Sequence, residues 1–160
     1  MRIYLDTSAL VKKYSPEKGS PLIKKIYARR DIELFTSEWA ILEVIAAIDK
    51  KVTKRQISME ERDDALMIFL SDLRAQKISF VKFTSEFIRP ASRLVVKHHI
   101  SAADALHLFS AIASMSPTLL AADRALIKAA KREDIEAYYL EDQRDLERVE
   151  AKLKQSEENK

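Results

Sequence analysis

Short runs rich in β-branched and aromatic residues alternate along this 160-residue chain with longer stretches carrying apolar residues at three-and-four spacing. The short runs occupy residues 2–5, 33–36, 78–83, 118–121 and 136–139, and read as strands. The longer stretches, at 21–30, 37–52, 59–76, 86–98, 102–115 and 124–131, read as helices. Strands separated by helices favour parallel pairing, because a parallel neighbour is reached only by a crossover. The expected fold is α/β: a three-layer α/β/α sandwich around a central parallel sheet of about five strands. Such sheets bind ligands beyond the carboxyl ends of their strands.

Helix-start chemistry supports the division. Ser20 precedes Pro21, Ser58 has Glu61 three residues on, and Ser101 has Asp104 three residues on. The single glycine, Gly19, excludes Gly-rich phosphate loops. With no cysteine, disulfides, thiol nucleophiles and Cys-based zinc sites are excluded. The longest apolar run, 40–48, is interrupted by Glu43, so no membrane span is expected and the chain reads as cytoplasmic. From Glu141 the sequence is strongly charged, with Leu146, Val149 and Leu153 keeping a helical stripe. This divides the chain into a body at 1–140 and a charged C-terminal helix and tail at 141–160, with 154–160 expected to be disordered.

Four acids stand out. Glu43 lies in an almost wholly apolar helical stretch, where a carboxylate needs a partner or an exposed edge. Asp6 follows the first strand and Asp123 the fourth, each before a helical pattern. Asp104 sits three residues after Ser101. Each Asp alone is explained by helix capping. Together they could converge at one sheet edge, where carboxylates about 5 Å apart would repel by roughly 3 kcal/mol per pair at an effective dielectric near 20. Such a cluster calls for cations, protonation or much water.

The segments Leu5-Asp6-Thr7-Ser8-Ala9-Leu10-Val11-Lys12, Leu42-Glu43-Val44, Ala102-Ala103-Asp104-Ala105-Leu106-His107 and Ala122-Asp123-Arg124-Ala125-Leu126 resemble, in order and spacing, the four acidic motifs of PIN-domain ribonucleases. The resemblance is strongest to the VapC-type toxins of prokaryotic toxin–antitoxin pairs. It implies a PIN-like catalytic domain over 1–140 whose catalytic and metal-binding quartet is Asp6, Glu43, Asp104 and Asp123, with Thr7 and Ser8 as site-lining hydroxyls. It further implies an endoribonuclease dependent on Mg²⁺ or Mn²⁺, an RNA substrate, a homodimer and a small antitoxin partner. Glu38 is a rival carboxylate to Glu43, and a catalytically silent PIN module that binds RNA or a protein is the alternative function.

Net charge is only +3, but between residues 12 and 30 seven basic residues stand against one acid, Glu17. Lys12 and Lys13 lead this run and are expected to contact the RNA backbone, with Lys50, Lys51, Lys54 and Arg55 as a second cluster. Two other chemistries are open at this level. Asp104 and His107, one helical turn apart, could share a transition metal, and Asp6 could act as a nucleophile toward phosphate.

Overall fold

The computed structural model describes residues 1–158. Its five strands are β1 (Arg2–Leu5), β2 (Glu33–Ser37), β3 (Ser79–Val81), β4 (Thr118–Ala121) and β5 (Glu136–Tyr139). All pair in parallel, in the order β3-β2-β1-β4-β5. The helices are α1 (Thr7–Tyr14), α2 (Ser20–Ala28), α3 (Ala40–Thr53), α4 (Met59–Arg74), α5 (Ile88–His98), α6 (Ala102–Ala113), α7 (Arg124–Arg132) and α8 (Gln143–Glu158).

Period-two alternation sends the strand side chains to two cores. Ile3 and Leu5 of β1, with Leu120 of β4, join one cluster together with Leu10, Ile23, Val44, Phe69 and Val149, from α1, α2, α3, α4 and α8. Tyr4, Leu119 and Ala121 point the other way, joining Leu94, Leu108 and Leu126 from α5, α6 and α7. The sheet is therefore covered on both faces, as the near-continuous apolar strands require. Among the described residues, no helix is long and apolar enough to cross a membrane.

The chain winds from β1 through β2 to β3 on one side, then returns to place β4 on the other side of β1. The switch point thus lies between β1 and β4, where an open parallel sheet leaves a crevice at its carboxyl edge.

Departures from the sequence reading are local. Ser20 does not cap α2: it lies inside the helix, where its hydroxyl accepts from the Glu17 amide, and Gly19 holds the N-cap at φ 84°. A Cβ at Gly19 would meet the Leu140 carbonyl at 3.2 Å, so the turn needs both the left-handed backbone and the missing side chain. The third strand keeps only three residues, having a single neighbour in the sheet. The helix expected over 86–98 begins with a 3-10 turn, Ser85–Phe87, before α5. The disorder expected from residue 154 is corrected as far as 158, because α8 runs to Glu158 and buries Val149 and Leu153; residues 159 and 160 lie outside the described residues.

Candidate active site

Asp6 leaves β1 and caps α1, its Oδ1 accepting from the Ala9 amide at 3.0 Å and the Ser8 hydroxyl at 2.7 Å. Asp123 leaves the neighbouring β4 and caps α7, accepting from the Leu126 amide at 2.9 Å. The two are brought together because Leu5 pairs with Leu120, and strands pair about 4.8 Å apart. Ser8 fastens the junction, its hydroxyl accepting from the Ala122 amide at 2.6 Å. Asp104 enters from the first turn of α6, where it accepts from the Ser101 hydroxyl at 2.6 Å while its own amide donates to that oxygen at 3.1 Å.

These three carboxylates line one cavity of about 350 Å³ at the carboxyl edge, together with Thr7, Ser8 and Ala122. Glu17 also borders it, but its carboxylate is engaged by Lys12 and Lys51. Among the described residues, no lysine or arginine pairs with Asp6, Asp104 or Asp123. Burial pushes the Asp6 carboxyl above its usual range, only partly offset by His107 and by the Ser8 and Ala9 hydrogen bonds.

Glu43 stands beside this cavity and not in its lining. Its Oε2 accepts from the Thr7 hydroxyl at 2.6 Å and from His107 Nε2 at 2.7 Å. An ionised carboxylate only accepts, so Nε2 carries a proton toward Glu43, while Nδ1 lies 2.9 Å from the Tyr4 hydroxyl. Burial raises the Glu43 carboxyl, but these hydrogen bonds outweigh it and hold the group below its usual range. Glu38, the rival, is exposed and accepts from the Phe83 amide at 3.3 Å. Among the described residues, no three acids or histidines stand close enough to hold an ion as they are, since each carboxylate is turned to its own hydrogen-bond donors.

A family model described as PIN domain matches residues 3–133. The chain belongs to the PIN-domain family. Its sequence is similar to Ribonuclease VapC45 of Mycobacterium tuberculosis (strain CDC 1551 / Oshkosh), 32% identical over 126 residues that cover 78% of this chain and 85% of that one. In architecture, this PIN domain is similar to PAE2754 from Pyrobaculum aerophilum, with a TM-score of 0.64 and 19% identity over 94% of this chain and 90% of that one. It is also similar to VapBC2 from Rickettsia felis bound to a DNA fragment from their promoter, with a TM-score of 0.57 and 19% identity over 87% and 98%. These structures share the fold.

The PIN domain does not present Lys12 and Lys13 to a ligand, which corrects the expected backbone contacts. Lys12 is 1% exposed, with its ammonium paired to Glu17 and Glu141. Lys13 reaches Asp72 at 3.1 Å and lies over the rings of Tyr14 and Tyr27. Both point inward because α1 is packed against α2, α3 and α4. Tyr4 and His107 are the site residues that sequence reasoning did not link. The one available signal was His107 at i+3 from Asp104, which suggested a shared metal; the ring instead faces Glu43 across the helix pair.

Proposed function

We propose that this PIN domain is an endoribonuclease that hydrolyses RNA phosphodiester bonds with Mg²⁺ or Mn²⁺, acting as the toxin of a toxin–antitoxin pair. The observation that carries the reading is the convergence of Asp6, Asp104 and Asp123 on one cavity at the switch point, with no lysine or arginine paired to them among the described residues. The name of the relative, Ribonuclease VapC45, supports the substrate class.

The donor set fits a hard divalent cation: carboxylate and hydroxyl oxygens, with no cysteine in the chain. Asp6, Asp104 and Asp123 would hold it, with Glu43 at the rim. When bound, such an ion supplies a water of lowered pKa and positive charge for the phosphate oxygens. The chain's own part is orientation. Ser8 and the Ala9 amide fix the Asp6 carboxylate, while Thr7 and His107 keep Glu43 ionised and aimed. A serine nucleophile is disfavoured, because the Ser8 hydroxyl is committed to Asp6 and to the Ala122 amide.

The same reading implies a small antitoxin that seats a cationic side chain such as arginine in the acid pocket, and a homodimer. A silent, RNA-binding module is the second reading, favoured by one observation: Glu43 is engaged by Thr7 and His107 and does not line the cavity. Cleavage of mixed cellular RNA separates the two. Activity with Mg²⁺ or Mn²⁺ that is lost with EDTA, and lost in Asp6→Asn and Asp104→Asn, is expected of the enzyme. Cleavage that survives both substitutions, or that needs no metal, overturns the mechanism.

A further inference from the structure

Some of the basic residues that the sequence places early in the chain are neutralised in the fold. Lys12, Lys13, Arg29 and Lys51 each face a carboxylate. A cationic face without ion pairs among the described residues, leading away from the acid pocket, lies on α7. Arg124, Lys128, Lys131 and Arg132 recur at i, i+4, i+7 and i+8, all exposed, while Leu126, Ile127, Ala129 and Ala130 are buried beneath them. The stripe begins next to Asp123 and extends about 12 Å along the helix.

Between this stripe and the ends of β5 and α8 lies a cleft of about 480 Å³. Its walls combine the four cations with Tyr139 and Ile127. The Arg124 guanidinium lies over the Tyr139 ring, 5.0 Å from its centroid, which gives the mouth of the cleft a flat cationic surface beside an aromatic one. Two acids, Asp142 and Asp145, also border the cleft, and both are already engaged. Asp142 accepts from the Arg144 amide at 2.8 Å, and Asp145 accepts from the Tyr139 amide at 2.9 Å and from Arg148 at 3.2 Å.

We infer that the α7–β5 cleft is the subsite for the single-stranded RNA segment adjoining the scissile phosphate, with Lys128, Lys131 and Arg132 facing its phosphates and the Arg124–Tyr139 pair facing a base. The inference rests on the ribonuclease reading, and three features favour this occupant. The stripe matches a polyanion in charge, it is continuous with the acid pocket through Asp123 and Arg124, and planar groups at the mouth suit an unstacked base.

The test uses the full chain carrying Asp104→Asn, in EDTA, with a labelled single-stranded oligouridylate as probe and salt varied from about 50 to 200 mM. Adding Lys128→Ala with Lys131→Ala is expected to weaken binding about tenfold at the low-salt end and to flatten the salt dependence by ~1.4 in slope, from ~0.7 per lost phosphate contact. Removing two exposed cations elsewhere, Arg74→Ala with Lys154→Ala, is the charge-matched control and is expected to leave both quantities unchanged. Equal loss in the control, or no loss in the α7 variant, overturns the inference. Polyglutamate of matched charge displacing the probe as well as RNA does would assign the cleft to an acidic protein and overturn it too. Cleavage assays keep the two levels apart. An α7 variant that cleaves and binds like the parent sinks only the subsite, whereas a parent that neither binds nor cleaves RNA sinks the ribonuclease reading and the subsite together.

Discussion

The imidazole of His107 is clamped to Glu43, with Nε2 2.7 Å from the carboxylate and Nδ1 2.9 Å from the Tyr4 hydroxyl. One ring thus links α6 to α3 on one side and to the central strand on the other. Replacing it by His107→Leu removes both partners at once and is expected to cost about 1–3 kcal/mol in urea denaturation. Tyr4→Phe removes only one hydroxyl and should cost less, ~0.5–1.5 kcal/mol. Equal costs would mean that ring packing, not hydrogen bonding, makes the link.

Asp6 is 5% exposed and shares its cavity with Asp104 and Asp123. Asn at this position keeps an oxygen for the Ala9 amide while removing a charge from the cluster. Without metal, Asp6→Asn is expected to stabilise the fold by about 1 kcal/mol, a few degrees in a thermal melt. Added Mn²⁺ should raise the melting temperature of the parent, by ~2.7 kcal/mol of stability at a hundredfold excess over Kd, and that of the variant far less. Identical responses to Mn²⁺ would remove Asp6 from the ligand set.

Asp72 anchors α4 to α1, accepting from Lys13 and from the Tyr14 hydroxyl at 3.1 Å each, with Lys77 at 3.2 Å. Burial raises this carboxyl, but the hydrogen bonds and charge of Lys13 and Lys77 outweigh it and hold it below the usual range. A carboxyl depressed in the folded state contributes stability above its unfolded pKa, about 3.9, and loses it as pH falls through the folded value. Asp72→Asn should therefore cost about 1–3 kcal/mol at pH 7, with the difference from the parent shrinking below about pH 4. A pH-independent difference in urea midpoints would contradict this.

Lys12 is buried along its stem, with Glu17 and Glu141 at its tip. Because both acids are partly exposed, losing the charge costs less than in a sealed pair. Lys12→Met, which keeps the stem, is expected to cost about 1 kcal/mol, and Lys12→Ala about 2–4 by also opening a cavity. Little effect of either on RNA binding would agree with its removal from the phosphate contacts; a large loss would restore it.

Much of this molecule was legible in its sequence because parallel strands buried on both faces must be apolar throughout, which separates them cleanly from amphipathic helices. Asp6 and Asp123 were legible for a related reason: acids that end neighbouring strands of a parallel sheet lie on one edge whatever else they do, whereas Asp104, on a helix, was legible only through its motif. Capping and a place in the cavity lining coexist in Asp6 and Asp123, and Asp104 lines the same cavity from the first turn of a helix that Ser101 caps. What stayed hidden depends on orientation across space. No spacing rule says that Lys12 points inward, that Ser20 yields the cap to Gly19, or that Glu43 meets a histidine 64 residues away.

The last helix carries a consequence for the order of events at the ribosome. Val149 and Leu153 complete the same core that begins with Ile3, and the Arg29 guanidinium reaches the Leu153 carbonyl at 2.7 Å. The part of that sheet face beneath α8 therefore stays uncovered until synthesis has passed those residues. A chain stopped at residue 140 is expected to show no cooperative unfolding transition; a sharp one would mean that the layer closes without α8. For a nuclease that would otherwise mature beside the message encoding it, late closure separates the making of the protein from its cutting.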